Sequence, residues 1–398
     1  MANKPIIRFN EYSDEWEEIT LSEIAEIVDR KTDEQSNAPV MMISAASGFI
    51  NQSEKYSTDN AGSSLKNYIL LKKGELAYNH GYSALRNFGS CFTLEKEEAR
   101  IPFVYHCFSI PSQNPYFYGY YLNCGIFDKQ LRKLVASTAR MDGLLNISYS
   151  DYTSIKVKKP SEDEQKELAT FFKNINNLII STQEKLDKAI ILKKSMLEKM
   201  FPQNDAKIPE LRFKGFSGEW KEKCLGECFS ERDERSADGE LISVTINQGV
   251  VRAKDLDRLD SSSNNKSNYK IVCKGDLAYN TMRMWQGAEG YSPYDGILSP
   301  AYTVCIPSKN VHTQFFAYMF KKNHIIHQFK INSQGLTSDT WNLKFNNFSL
   351  IKVRVPNIDE QKTIANYFEN IDKLITSYND ELEKLKTIKK SLLEKMFV

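Results

Sequence analysis

Along two stretches of the chain, Pro160–Phe201 and Pro356–Phe397, apolar residues return in alternating steps of four and three. In the first they fall at Leu168, Phe172, Ile175, Ile179, Leu186 and Ala189, with Thr182 a polar gap; in the second at Ile364, Phe368, Ile371, Ile375, Tyr378, Leu382 and Leu385. That spacing puts one apolar stripe on one face of a helix, the seam of a coiled coil. The steps then lengthen to four at Leu192, Met196 and Met200, and at Ile388, Leu392 and Met396, which locally undoes the left-handed drift of a strict heptad. Ser161 with Glu164 reads as a capping box, and Asn357 with Glu360 as the same start with an Asn cap. A proline before each cap keeps the preceding segment out of the helix, and no Gly or Pro interrupts either run until Pro202. At 1.5 Å per residue each helix is about 60 Å long. Each seam needs a partner, and the other seam is the nearest apolar stripe of matching length. The expectation is an antiparallel pair.

The two stretches are copies of one another. About half of their positions are identical without a gap, including Asp163–Lys166 against Asp359–Lys362 and Lys193–Phe201 against Lys389–Phe397. The repetition reaches further. Arg8-Phe9 and Trp16 match Arg212-Phe213 and Trp220. Lys72–Asn79 (KKGELAYN) matches Cys273–Asn280 (CKGDLAYN), Ile110–Ser112 matches Ile306–Ser308, and Ile155–Val157 matches Ile351–Val353. Between these islands the halves differ almost freely, as in His80–Ser90 against Thr281–Gly290. A chain that repeats itself is read unit by unit.

Within each unit the pattern predicts a mixed fold, α/β in the broad sense (α+β). Tyr68–Leu71 and Leu76–Tyr78 read as strands around a turn at Lys73-Gly74. Phe117–Leu134 and Phe315–Ile331 read as amphipathic helices, their polar faces carrying Lys129, Arg132 and Lys133, and Lys321, Lys322 and Lys330. The Ser/Asn-rich segments 48–64 and 261–267 read as loops. The expected division is a first globular domain at 1–158, a long helix at 159–203, a second domain at 204–354 and a second long helix at 355–398.

Composition narrows the chemistry. The net charge is +2, so any polyanion site is a local patch rather than a property of the whole protein. The apolar runs are too short to span a bilayer. With no apolar signal core at the start and seven scattered cysteines, the expectation is a cytoplasmic protein with reduced thiols. Catalytic motifs are missing. The nearest text to the Asn-Pro-Pro-aromatic turn of an adenine methyltransferase is Asn114–Phe117, which lacks the second proline and reads as a helix start. No Gly-x-Gly turn and no Gly-Lys dipeptide exist, which excludes a Walker A loop. His324 and His327, and Cys224 and Cys228, lack the further ligands a metal would need.

The duplicated order resembles one family. A strand ending in Pro, then Glu-Gln at the start of a long helix, occurs as Ile155–Pro160 with Glu164-Gln165, and again as Ile351–Pro356 with Glu360-Gln361. With Gly74 and Gly275 before Ala-Tyr-Asn, and with Trp16 and Trp220, this is similar to the specificity subunit of type I restriction-modification enzymes. The resemblance covers nearly the whole chain. It implies two target-recognition domains, each reading half of a split site on double-stranded DNA, and a helix pair that sets their spacing. It also implies docking of two methyltransferase subunits and two restriction subunits. S-adenosylmethionine, ATP and magnesium are then expected on those partners, with no cofactor, metal or membrane for this chain.

Base identity is read by side chains in a groove, Arg on guanine and Asn or Gln on adenine being the commonest pairs, while Lys and Arg on phosphate give position. The expected contacts in the first half are Tyr82, Arg86 and Arg140, with Lys129, Arg132 and Lys133 on phosphate. In the second half they are Arg283, Gln286, Ser333, Thr337 and Ser338, with Lys322 and Lys330 on phosphate. Leu168, Phe172, Ile175, Ile179 and Leu186, with Ile364, Phe368, Ile371, Ile375 and Leu382, are the helix-pairing residues. Trp16 and Trp220 are expected to pack, and Asn79 and Asn280 to hold turns. The competing reading is a duplicated coiled-coil scaffold that binds protein or carbohydrate; a self-sufficient restriction enzyme is disfavoured by the absent motifs.

Overall fold

The computed structural model describes residues 4–33, 36–55, 62–81, 83–135, 145–203, 206–256 and 265–398. The chain forms two compact units, Met1–Gln183 with Asp380–Val398, and Glu184–Asn379. Both long helices are present, as Glu162–Lys199 and Ile358–Met396. The first helix gives its start to the first unit and its end to the second; the second helix does the converse.

The two units share one topology. In the first, a four-stranded sheet has the order Glu26–Ile27, His106–Ser109, Leu76–Asn79, Ser90–Thr93. Two-stranded ladders join Glu17–Thr20 to Lys156–Lys159, Met41–Ser44 to Gly48–Asn51, and Ile69–Lys72 to Glu98–Ile101. In the second unit the four-stranded order is Phe229–Glu231, Tyr302–Pro307, Leu277–Asn280, Glu289–Tyr291. Its ladders join Lys221–Cys224 to Lys352–Val355, Ile242–Thr245 to Gly249–Arg252, and Lys270–Val272 to Gly296–Leu298. Every named strand pair is antiparallel, so the mixed architecture is of the α+β kind.

The repeated Leu-Ala-Tyr-Asn strand explains how each core is built. Side chains on a strand alternate between faces. Leu76 and Tyr78 enter one cluster with Trp16, Phe117, Tyr121, Tyr152 and Phe172, while Ala77 enters another with Met41, Ile43, Leu71 and Cys107. Leu277 and Tyr279 divide from Ala278 in the same way. A strand buried on both faces is apolar along its buried length, as Leu-Ala-Tyr is here before the half-buried Asn that ends it. The strands Ile69–Lys72 and Leu76–Asn79 do form around Gly74 (φ +84°), but they belong to different sheets and do not pair with each other.

The Asp-Glu-Gln-Lys motif fastens each long helix to its unit. Ser161 Oγ accepts from the Glu164 amide at 3.4 Å, and Asn357 Oδ1 from the Glu360 amide at 2.9 Å. The Glu side chains do not close capping boxes. Glu164 instead receives Arg8 in two hydrogen bonds of 2.7 and 2.8 Å and the Trp16 indole N–H at 3.1 Å. Glu360 receives Arg212 twice at 2.7 Å and Trp220 at 3.4 Å. A guanidinium offers two parallel donors that match a carboxylate, which outcompetes the local backbone N–H. The adjacent Gln165 donates to Pro160 O at 2.9 Å and accepts from the Asn114 amide at 3.0 Å. Gln361 does the same with Pro356 O and the His312 amide.

The end of each repeat plugs into the start of the other helix. In the first unit the Phe397 ring lies 5.3 Å from Phe172 and 5.7 Å from Phe117, and Tyr121 Oη donates to Val398 O at 2.7 Å. In the second, Phe201 lies 6.0 Å from Phe368 and 5.3 Å from Phe315. Of the expected pairing residues, Leu168, Phe172, Ile175, Leu186, Ile364, Phe368, Ile371 and Leu382 are buried, and Ile179 and Ile375 are half-buried. Leu192 and Ile388 leave the seam and are 44% and 40% exposed. The expected single helices 117–134 and 315–331 are each broken in two. The pieces are Pro115–Tyr121 and Asp128–Leu134, and Thr313–Met319 and Asn323–Ile331. The first break contains Gly125 at φ +92°, and in the second Lys322 is extended at ψ 135°.

Candidate nucleic-acid interface

The segments that differ most between the halves are loops on this common frame. The central strand of each four-stranded sheet leads into a loop and returns as the edge strand. The loop spans 80–89 in the first unit and 281–288 in the second. Its exit is held by the asparagine that ends the strand, as expected: Asn79 Oδ1 accepts from the Gly81 amide and Asn280 Oδ1 from the Met282 amide, both at 3.0 Å. Gly89 closes the first loop at φ +83°, where a Cβ would lie 2.5 Å from Asn79 O, so no larger residue fits.

In the second unit the loop meets a second variable segment. The Leu343 amide donates to Thr281 O at 2.9 Å, and Gln334 and Asn342 bridge the base of the segment between them. The Trp285 and Trp341 rings sit edge to face at 5.1 Å, and Lys330 Nζ lies 5.2 Å over the Trp341 ring. The structure thus brings 281–288, 333–342 and Lys330 together. Arg283 and Gln286 are exposed, as are Lys330, Thr337 and Ser338. Leu336 at the tip is fully exposed. Ser333 is half-buried and its hydroxyl donates to Phe329 O at 2.7 Å, finishing a helix.

Lys322 is a correction. Its side chain is 2% exposed and its ammonium lies 2.6 Å from Glu198 Oε2. The break between the two helices turns it inward, whereas an unbroken helix would have left it on the polar face. That contact holds the Glu198 carboxyl below its ordinary range. A lysine so placed does not reach phosphate.

Among the described residues the first unit ties its loop down at a similar place. The Leu145 amide donates to His80 O at 2.8 Å, as the Leu343 amide does to Thr281 O. The His80 ring nitrogens lie 2.6 Å from Leu145 O and 2.8 Å from Val104 O, and the ring stacks on His106 at 4.8 Å. Arg86 is half-buried and its guanidinium donates to Asn123 Oδ1 at 3.0 Å, so the fold engages it. Lys129, Arg132 and Lys133 are exposed on Asp128–Leu134. Tyr82 and Arg140 lie outside the described residues.

Sequence reasoning did not single out Trp285 or Trp341. Both fall in the divergent segments, and an aromatic that occurs in one half only was the available signal. Trp16 and Trp220 pack in the cores, as expected. Among the described residues no cluster of three or more His, Cys, Asp or Glu could hold a metal, and no helix is long and apolar enough to cross a membrane. The seven cysteines are all unpaired. His324 lines a cavity of ≈ 380 Å³ with Gln328, Asn332, Lys352 and Arg354; the two basic groups there face Glu222 at 3.1 and 3.6 Å.

Residues 217–387 match the type I restriction modification DNA specificity domain. The second unit thus carries a region similar to that specificity domain. The match begins just before the first strand of the second unit and ends within the second long helix. The first unit repeats the strand order of this specificity domain ladder for ladder. The chain is also similar to a solved type I restriction-modification S subunit from M. genitalium, at 15% identity over 99% of both chains with a TM-score of 0.58. A second similar structure is the HsdS subunit from Thermoanaerobacter tengcongensis, at 13% identity over 96% of both chains with a TM-score of 0.44. The first likeness carries the fold of the specificity domain and its repeat to the full length of this chain.

Proposed function

We propose that this chain is the sequence-reading subunit of a type I restriction-modification complex, each unit reading one half of an asymmetric bipartite DNA site. The observation that carries the proposal is the contrast between frame and loops. Arg–Glu–Trp clamps, Asn turns and strand order recur in both units, while the loops they present, 80–89 and 281–288, have different sequences. One frame carrying two unlike loops suits two unlike half-sites. Arg283 and the Gln286 amide are exposed and carry the groups that pair with guanine and adenine edges, Lys330 suits phosphate, and the contact between Trp285 and Trp341 braces the surface.

The long helices serve as spacer and dock. The exchange of Phe201 and Phe397 between helix ends supports an antiparallel pair that fixes the half-site separation, which for adjacent major-groove sites is about 34 Å. Leu178 and Leu374 occupy equivalent repeat positions and are 55% and 49% exposed, which suits two like partners, the methyltransferase subunits; restriction subunits then join them. S-adenosylmethionine, ATP and magnesium belong to those partners, and this chain contributes recognition.

The test is an exchange of residues 206–350 for the corresponding segment of another family member, assembled with a methyltransferase subunit, with methylated sites read by sequencing. One half of the recognised sequence changes and the other is retained. A change in both halves, or in neither, refutes the assignment of one half-site to each unit.

A further inference from the structure

The loop 281–288 is held at its return as well as at its exit. Lys321 stands in the turn between Thr313–Met319 and Asn323–Ile331. Its ammonium donates to Gly287 O at 2.8 Å and lies 2.7 Å from Glu289 Oε1 and 3.4 Å from Glu289 O. Glu289 is wholly buried. It pairs with Tyr279 across the sheet, where the first unit pairs Cys91 with Tyr78. A carboxylate stands where the frame otherwise takes a small apolar residue, and the lysine is its counter-ion. Gly287 is left-handed at φ +81° and caps the short turn Met284–Gln286 that carries Gln286.

The first unit uses the same place with different chemistry. Asn123 follows Pro115–Tyr121 by two residues, as Lys321 follows Thr313–Met319. Its Oδ1 accepts from Arg86, which belongs to the loop 80–89. In one unit the helix turn accepts from a loop side chain; in the other it donates to the loop backbone.

We propose that this helix-turn position, Asn123 in one unit and Lys321 in the other, is a specificity-positioning residue that sets the pose of the base-reading loop. The inference rests on the reading of these loops as DNA-contacting. The Lys321 ammonium is engaged by the Gly287 carbonyl and paired with the Glu289 carboxylate, so it acts through the loop rather than on DNA. The position varies with the loop it holds, so a loop transplanted between units without its anchor loses its pose.

The test uses the full chain assembled with a type I methyltransferase subunit, selecting from a pool of random-sequence duplex DNA. Lys321→Met with Glu289→Met removes both charges together, so no buried carboxylate is stranded, and melting reports whether the fold is kept. The expected result is a loss of base discrimination of about tenfold or more in one half of the selected site. The other half and the affinity for non-specific DNA are unchanged. Lys321→Arg, which retains donors for Gly287 O and Glu289, keeps the parent preference. Unaltered discrimination in the double variant, while Arg283→Ala relaxes the same half, overturns the inference and leaves the reading of the loop standing. Lys321→Arg relaxing as far as the double variant also overturns it. If neither Arg283→Ala nor replacement of residues 281–288 relaxes either half, the loop does not read DNA and both fall.

Discussion

Arg8→Ala tests the clamp that joins the N-terminal segment of the first unit to its long helix. The Glu164 side chain is 1% exposed and Arg8 12%. Two charge-assisted hydrogen bonds join them, the Trp16 indole adds a third to the carboxylate, and Arg8 Nη1 donates to Asp14 O at 2.6 Å. Removing the arginine leaves a buried carboxylate with the Trp16 indole as its remaining donor. Stranding one partner of a buried pair costs about 3–5 kcal/mol, whereas an exposed pair costs less than about 1 kcal/mol. Because Arg8 touches solvent and water can reach the vacated site, the lower end, about 3 kcal/mol, is expected. At about 2–4 °C per kcal/mol for a unit of this size, the first unit melts about 6–12 °C lower in scanning calorimetry of the full chain. Arg212→Ala lowers the second unit in the same way. Arg8→Met with Glu164→Met recovers most of the loss, since apolar replacement of a whole buried pair is often neutral. A shift below about 2 °C, or a double variant as unstable as the single one, refutes the claim that the clamp acts as a buried ion pair.

Three further outcomes are expected. Phe397→Ala empties a site that is 3% exposed, between Phe172, Phe117 and Tyr121; it costs about 3–5 kcal/mol, and limited proteolysis should show the end of the second helix released, a result absent if Phe397 is only peripheral. Burial pushes the His106 imidazole below its ordinary value of 6.5, partly opposed by the Ile147 carbonyl. The unfolded chain therefore binds the proton more readily, and the contribution of His106 is intact above pH 6.5 and lost as the pH falls through the depressed folded value. His106→Gln should flatten the acid limb of the unfolding midpoint against pH in urea, and an unchanged limb counts against the role. Asn176 and Lys389 occupy the repeat positions of Asp372 and Lys193, which pair at 2.5 Å, and burial pushes the Lys389 ammonium down. Asn176→Asp should raise the first melting transition at pH 7 by up to about 4 °C, and a lowered transition shows that the two sites are not equivalent.

The sequence made the long helices, the repeat and the Asn turns legible because each is a local pattern: a period, a copied string, a side chain reaching two residues ahead. It misled where a long-range partner won. Glu164 looked like a capping-box residue, and its real partner, Arg8, is distant in the chain. The copied pairs Arg8/Arg212, Trp16/Trp220 and Glu164/Glu360 held that information, since a clamp is the simplest reason to copy an Arg, a Trp and a Glu together. Lys322 looked like a surface lysine because helical periodicity was carried through a break that Gly125 signals in the first half but that no glycine signals in the second. Nothing local announces that Glu289 is buried. It follows only from the register that sets it opposite Tyr279, and strand register across a divergent loop is not written in the strand itself.

This division has an energetic cause that bears on function. A change at Glu164, Phe172 or Tyr78 removes a buried group with several partners, and such changes cost several kcal/mol, a large share of the stability of a marginally stable unit. A change at Arg283, Gln286, Thr337 or Ser338 removes an exposed group, and surface changes away from caps and networks stay within about 0.5 kcal/mol. After duplication the frame was therefore confined and the loops were free to diverge. On the proposed reading the loops still need fixed poses, because a groove-reading side chain that wanders loses its discrimination. Residues at the boundary between frame and loop, Asn123 with Arg86 and Lys321 with Glu289, are where both demands meet. They differ between the units because each holds a different loop, yet they are partnered and at least half-buried because each has to hold it still. On the proposed reading, such a unit changes its target by replacing a loop together with its anchor, while the clamps and the helix ends stay as they are.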